Sequence, residues 1–253
     1  MVSDAHAHLD LKRFDNDREE VIARARSAGL RWIINVCMIG DGAEGALALV
    51  EEHDFMRAVA GCHPHDAAGF TERELGRLER MATHPRVVGI GEIGLDFFRD
   101  YSPREKQAEA FGAQLDLARR LGLPVIIHDR EAHEESLALI RESRVGQGMF
   151  HCFSGNVEMA KEVLDLGYYI SLPGSVTFPK AETSHAVAAY VPLDRLLVET
   201  DCPFITPVPH RGKRNEPAYV VETAKAVARI KGLSYEETAA ATTANLERLF
   251  GLK

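Results

Sequence analysis

Of the eleven histidines, six fall in short motifs beside other metal-seeking side chains. His6 and His8 stand two residues apart, which on a strand places both imidazoles on one face. Two neutral imidazoles on one face suit a divalent cation, although a short H-x-H also arises by chance and as a pair of satisfied core histidines. Glu92 sits in the run Gly89-Ile-Gly-Glu-Ile-Gly-Leu-Asp96. A buried carboxylate is costly unless paired or metal-bound, and its two oxygens can bridge two cations. His128 and His151 end the apolar runs PVIIH and GMFH. Asp201, in V-E-T-D-C-P, can ligate a metal and can also orient or deprotonate a water, as a general base would. Glu199, two residues earlier, is a further ligand or a group behind one. His6, His8, Glu92, His128, His151 and Asp201 together supply four imidazoles and two carboxylates. That is enough for two divalent cations bridged by Glu92 and a hydroxide. Cations about 3.5–4 Å apart activate water for in-line attack on phosphorus and stabilise the leaving oxygen. Magnesium, manganese and zinc all fit such a donor set.

Two further groups point toward a substrate. Gly61-Cys-His-Pro-His65 offers His63, a candidate to donate to phosphate or to protonate a leaving alkoxide, and His65. With Glu199, these histidines leave room for a third ion. Arg211-Gly-Lys213-Arg214 reads in isolation as a solvated surface run. Its place directly after the aspartate of the metal set makes Arg211, Lys213 and Arg214 candidates for phosphate contact.

These residues need a scaffold that brings them to one place. Eight short apolar runs read as strands: Val2–His8, Leu30–Val36, Met56–Cys62, Val87–Ile93, Pro124–His128, Gly148–Cys152, Tyr168–Leu172 and Arg195–Thr200. Continuous runs such as RWIINV and PVIIH are the pattern of strands buried on both faces, as parallel strands are. Helical stretches alternate with them: Asp15–Gly29, Ser102–Gly122, Asp129–Ser143, Asn156–Gly167, Glu216–Gly232 and Ser234–Phe250. Ser102-Pro103 reads as an N-cap with proline at the first helical position, and Ser234-x-x-Glu237 reads as a capping box. Eight β–α alternations predict a single (β/α)₈ TIM barrel over residues 1–253, with an open doubly wound sheet as the runner-up. In a barrel every chemical residue above lies at the C-terminal end of its strand, where active sites form. Gly89, Gly91 and Gly94 match G-x-G-x-x-G. A dinucleotide site needs a helix directly after the third glycine, however, and the helix signals come only at Ser102. Loop Pro203–Asn215, with Pro203, Pro207 and Pro209, is long enough to be functional.

Composition excludes other classes. Apolar residues make up 45 % and charged residues 27 %, which is ordinary for a globular chain. The net charge of −8 gives no field for gripping extended duplex DNA, so any nucleic-acid contact is local, at an end or a short single strand. Cys37, Cys62, Cys152 and Cys202 form no C-x-x-C pair, and a zinc ribbon or dithiol site is disfavoured. The first residues carry no signal peptide, and no apolar run approaches a membrane span, so the expectation is a cytoplasmic protein with no membrane contact and no obligate protein partner.

D-A-H-x-H-L, G-x-H-P-H, G-E-I-G-L-D, I-x-H-D-R, H-C-F-S-G, E-T-D-x-P and R-G-K-R-N-E-P, in this order from Ser3 to Pro217, resemble the TatD family of metal-dependent deoxyribonucleases in the amidohydrolase superfamily. The resemblance implies a TIM-barrel hydrolase acting on DNA, with 3′–5′ exonuclease activity on single-stranded or frayed ends. It also implies metal binding at His6, His8, Glu92, His128, His151 and Asp201. Glu92 takes the place where many superfamily relatives carry a carboxylated lysine. The alternative on the same residues is a small-molecule hydrolase of cyclic amides, lactones or phosphoesters, since fold does not fix function. A nucleic-acid or partner-binding protein with purely structural metals is a third possibility, disfavoured because its site would sit in an open mouth.

Overall fold

The computed structural model describes residues 1–40 and 42–253. Eight parallel strands in the order β1 to β8 form one sheet. They are β1 Val2–Ala7, β2 Leu30–Met38, β3 Met56–Gly61, β4 Val87–Asp96, β5 Val125–Arg130, β6 Gly148–Phe150, β7 Tyr169–Leu172 and β8 Leu196–Val198. The helices between and after them are α1 Arg18–Ser27, α2 Ala43–Glu52, α3 Glu72–Ala82, α4 Arg104–Leu121, α5 His133–Ser143, α6 Val157–Asp165, α7 Glu182–Tyr190, α8 Val220–Lys231 and α9 Tyr235–Phe250. No helix among the described residues is long and apolar enough to cross a membrane.

The sheet curls into a nearly closed barrel, and the chain beyond β8 completes the ring. Ala7 and Cys202 form a parallel bridge. Asp201 N donates to His6 O at 2.9 Å, and His8 N donates to Cys202 O at 2.9 Å. Two packed layers result from strand alternation. Trp32, Ile34 and Val36 of β2 pack inside the barrel with Val59, Ile126, Met149 and Leu197. Ile33 and Cys37, their neighbours in sequence, pack outward beneath the helices. Leu246, Leu249 and Phe250 of α9 join the inner cluster and plug the end where the strands begin. Burying each contributes about 1.5–3 kcal/mol, so this plug is a main stabiliser of the closed end. The opposite end stays open.

Several element boundaries differ from the sequence reading, for physical reasons. β4 runs to Asp96, three residues past Ile93, because Gly94, Leu95 and Asp96 keep pairing with β5. β6 and β8 are shorter than expected. His151, Glu199 and Asp201 therefore lie just past the strand ends, each held by one further backbone bond. Ser102 does not cap α4, whose N-cap is Pro103. Its hydroxyl donates instead to His65 O at 2.7 Å and accepts from Ala68 N at 3.0 Å, tying the β3 loop to the start of α4. The Ser234–Glu237 capping box forms with both reciprocal bonds.

Candidate metal centre at the open end of the barrel

Glu92 is the hub. It points inward from the middle of β4 and is almost fully buried. Its two oxygens face different groups of imidazoles. Oε2 lies 3.3 Å from His6 Nε2 and 3.6 Å from His8 Nε2. Asp201 Oδ1 completes that group, 3.3 Å from His8 Nε2 and 3.8 Å from His6 Nε2. Oε1 lies 2.7 Å from His128 Nδ1, 2.7 Å from His151 Nε2 and 3.3 Å from His63 Nε2. The rings of His6 and His151 stack at 3.9 Å and join the two groups.

The backbone explains this convergence. β1 carries His6 inward and ends just before His8. The closure bonds from Asp201 to His6 and from His8 to Cys202 fix all three ligand candidates against one another. Asp201 has φ 53°, a left-handed conformation that aspartate tolerates better than most residues, and it turns the side chain into the mouth. At Gly94 a Cβ would lie 1.9 Å from His128 O, so only glycine lets β4 approach β5 beside that histidine.

The donor chemistry fits divalent cations. In the first group, the His6 and His8 Nε2 atoms lie 3.1 Å apart and 3.3–3.8 Å from the Glu92 and Asp201 oxygens, the spacing that ligands about 2.1 Å from a common ion adopt. Among the described residues, no lysine or arginine pairs with Glu92 or Asp201. Among the described residues, imidazolium is the positive charge that meets these carboxylates, in the place a metal would take. The charge balance follows accordingly. Burial by itself would raise the Glu92 carboxyl, but the charge of His151 and the bonds from His128 and His151 hold it well below the usual carboxylate range. Burial would lower His151, but Glu92 and Glu199 raise it well above the ordinary imidazole value. Such protons occupy the place that a cation takes when imidazoles are neutral ligands.

Other side chains hold the imidazoles in place. Asp96 Oδ2 accepts from His65 Nε2 at 2.8 Å and lies 3.2 Å from His128 Nε2. Its Oδ1 accepts from the amides of Phe98 and Arg99. Burial would raise this carboxyl, but the bonds from His128, Arg99 and His65 keep it below its usual range. With Nε2 committed to Asp96, His128 presents Nδ1 to Glu92. Glu199 is fully buried behind His151. Its Oε1 accepts from Cys152 N at 2.6 Å and lies 3.4 Å from His151 Nδ1, while its Oε2 accepts from Ser171 Oγ at 2.5 Å. Such a carboxylate behind an imidazole is how proteins orient metal-binding histidines. Gln107 and Gln114 of α4, both fully buried, bind the backbone of Asp96 and Cys62, the residues that end β4 and follow β3.

Asp96, Gln107 and Gln114 were not among the residues singled out from the sequence. For Asp96 the signal was present: it lies four residues beyond Glu92, on the same face of a strand. His63 and His65 do reach the cluster, His63 at Glu92 and His65 at Asp96. The basic run divides. Arg214 donates to both oxygens of Asp17, at 2.8 and 2.6 Å, and to Arg13 O at 2.6 Å, so its guanidinium is committed to anchoring the loop. Arg211 lies over the ring of Phe178 at 4.2 Å. Lys213 makes no side-chain hydrogen bond or ion pair among the described residues.

Comparison with known proteins agrees with this architecture. Residues 3–251 match the family described as TatD related DNase. The chain is 44 % identical over 253 residues to YabD, an uncharacterized metal-dependent hydrolase of Bacillus subtilis, covering 99 % of both chains. It is 36 % identical over 257 residues to the 3′-5′ ssDNA/RNA exonuclease TatD of Erwinia tasmaniensis, covering 98 % of this chain and 99 % of that one. The crystal structure of the Escherichia coli TatD homologue YjjV superposes with a TM-score of 0.94 at 31 % identity, covering 100 % and 98 % of the two chains. The chain belongs to the TatD-related DNase family and is a metal-dependent hydrolase.

Proposed function

We propose that the protein hydrolyses phosphodiester bonds at the 3′ end of single-stranded or frayed DNA, one nucleotide at a time. The observation that carries this reading is Glu92, one carboxylate with an oxygen turned to each of two imidazole groups. His6, His8 and Asp201 with Glu92 Oε2 would hold one divalent cation; His128 and His151 with Oε1 would hold the other. Magnesium, manganese and zinc all suit these donors, and Glu199 and His65 serve as groups behind the ligands. Such cations supply Lewis acidity, acidifying water and neutralising charge on the phosphoryl oxygens.

The protein's own groups then divide the remaining work. Asp201 Oδ2 makes no hydrogen bond among the described residues, so it can orient the attacking water and accept its proton. His63 Nδ1 accepts from His65 N at 3.1 Å, which leaves the ring proton on Nε2, the nitrogen facing the site. Burial pushes its imidazolium down to about 4, so His63 is neutral near pH 7. In that state it is a hydrogen-bond donor toward a phosphoryl or leaving oxygen. Arg211 and Lys213 are available to the phosphates of the entering strand, while Arg214 holds their loop in place. The exonuclease name of the Erwinia tasmaniensis relative supports the polarity and the single-stranded substrate.

The test is digestion of an end-labelled single-stranded oligonucleotide with magnesium, manganese or chelator, comparing the native protein with Glu92→Ala. Stepwise shortening from the 3′ end that needs both metal and Glu92 is expected. No cleavage by a folded, metal-loaded protein would reject the nuclease reading and favour a small-molecule ester or amide.

A further inference from the structure

Apolar exposure on this molecule is not evenly spread. Four aromatic side chains are exposed among the described residues: Phe98 at 49 %, Tyr101 at 66 %, Tyr190 at 44 % and Phe204 at 45 %. Tyr190 ends α7, at the plugged end of the barrel. The other three rim the open mouth. Phe98 and Tyr101 lie in the loop after β4, and Tyr101 meets the ring of His65 edge-on at 4.8 Å. Phe204 lies in the loop after β8, with its ring 6.2 Å from that of His8. With strands in the order β1 to β8 around a ring, loops four strands apart face each other across the mouth. Glu92 and its imidazoles lie between them.

Arg130 lies 4.0 Å and Arg99 5.5 Å from the ring of Phe98, and Arg13 lies 5.8 Å from that of Phe204. None of these three guanidinium groups joins an ion pair among the described residues, although the chain carries eight more negative than positive charges. Elsewhere some arginines, such as Arg24, Arg77, Arg120 and Arg141, are paired with carboxylates, and others, such as Arg80 and Arg229, join no ion pair among the described residues. Exposed aromatic rings with guanidinium groups packed against them are a combination that binds single-stranded nucleic acid, where each base offers a π-face and each phosphate a charge. A small apolar ligand would use the rings and leave the arginines without a partner.

We propose that Phe204 on one side of the mouth, and Tyr101 with Phe98 on the other, are nucleobase platforms. Each stacks one unstacked base of a single-stranded end, so that the phosphodiester linking them lies over Glu92. Arg13, Arg99 and Arg130 receive the flanking phosphates. This inference rests on the nuclease reading and adds its specificity: a strand is gripped by the bases on both sides of the bond being cut, and a duplex must fray to enter.

The experiment compares wild type, Phe204→Ala and Tyr101→Ala on oligonucleotides that carry either an intact base or an abasic residue at each of the last three positions. KM and kcat are measured with metal, and anisotropy of a labelled strand in chelator gives binding without cleavage. Each alanine variant is expected to raise KM on the intact strand on the order of 10-fold, with a smaller change in kcat. One abasic position should cost the wild type the same factor and cost the matching variant nothing more. Phe204→Tyr and Tyr101→Phe should restore binding. Alanine variants with wild-type KM, or a loss that is equal on intact and abasic strands, would overturn the platforms while leaving the nuclease reading in place. A wild type that neither cuts nor binds any strand rejects that reading, and the platforms with it.

Discussion

Asp96→Asn is the most informative single change in the site, because it preserves shape and inverts one hydrogen bond. In the native protein Asp96 Oδ1 accepts two backbone amides, from Phe98 at 3.1 Å and Arg99 at 2.8 Å, while Oδ2 faces the Nε2 atoms of His65 and His128. An asparagine that keeps the two amide bonds must place its NH₂ against His128 Nε2. That nitrogen then accepts, the ring proton moves to Nδ1, and Nδ1 is the atom turned to Glu92 at 2.7 Å. A protonated Nδ1 cannot ligate a cation. The opposite amide orientation keeps the tautomer but sets NH₂ against two backbone N–H groups, at about 1–3 kcal/mol for each unsatisfied buried donor. Removing a group of this kind weakens metal affinity or activity about 10–100-fold, or roughly 1.4–2.7 kcal/mol. Calorimetric titration of the metal-free protein with manganese or zinc measures the affinity, and circular dichroism verifies that the variant is folded. A folded Asp96→Asn protein with native affinity at both sites would refute the idea that Asp96 sets the His128 tautomer.

Two further outcomes follow from the same structure. Chelation should silence the enzyme without unfolding it: saturation at 100 times Kd contributes about 2.7 kcal/mol, which at roughly 2–4 °C per kcal/mol lowers the melting midpoint by about 5–10 °C. Unfolding at room temperature on chelation would instead make the metals structural. The Arg214 bond outweighs the upward push of burial and, with the charges of Arg214 and Arg24, leaves the Asp17 carboxyl below its ordinary range. A depressed carboxyl contributes stability in full above its unfolded value near 3.9 and loses it as pH falls through the lower folded value. Asp17→Asn should therefore cost about 0.5–1 kcal/mol at pH 7, allowing for solvent screening, and progressively less at acid pH as the native carboxyl protonates. An equal loss at neutral and acid pH in denaturant titrations would show that charge is not the source.

The ligand candidates were legible because their residue types conflict with their surroundings. An imidazole or carboxylate ending an apolar run, as in PVIIH or VETD, has no reason to be there unless something at the strand end uses it. Glu92 stood out for the same reason. Asp96 did not, because ending β4 at Ile93 moved it into a loop, where an aspartate is unremarkable. Extending the strand by three residues is a matter of pairing with β5, which no local pattern reports. The commitment of Arg214 to Asp17 was hidden in the same way, since those residues lie 197 positions apart. Helices α2 and α7 carry weak or absent cap signals and were not delimited; α3 was not delimited either, although Thr71-x-x-Glu74 has the capping-box spacing. The exposure of Phe98, Tyr101 and Phe204 is a property of loops in space.

The closure of the barrel also dictates when in the life of the chain the site exists. Asp4 Oδ1 accepts from Thr200 N across a separation of 196 residues, and the bonds beside it set His6, His8 and Asp201 against one another. Contacts this distant in sequence form after local ones, once the entropy of closing so long a loop is met. A chain emerging from the ribosome presents His6 and His8 early, when they can catch a cation only loosely. Asp201, the carboxylate that completes the set, follows His8 by 193 residues (201 − 8). Completion of the site is thus coupled to closure of the barrel, and a half-folded copy carries the histidines without the aspartate set against them.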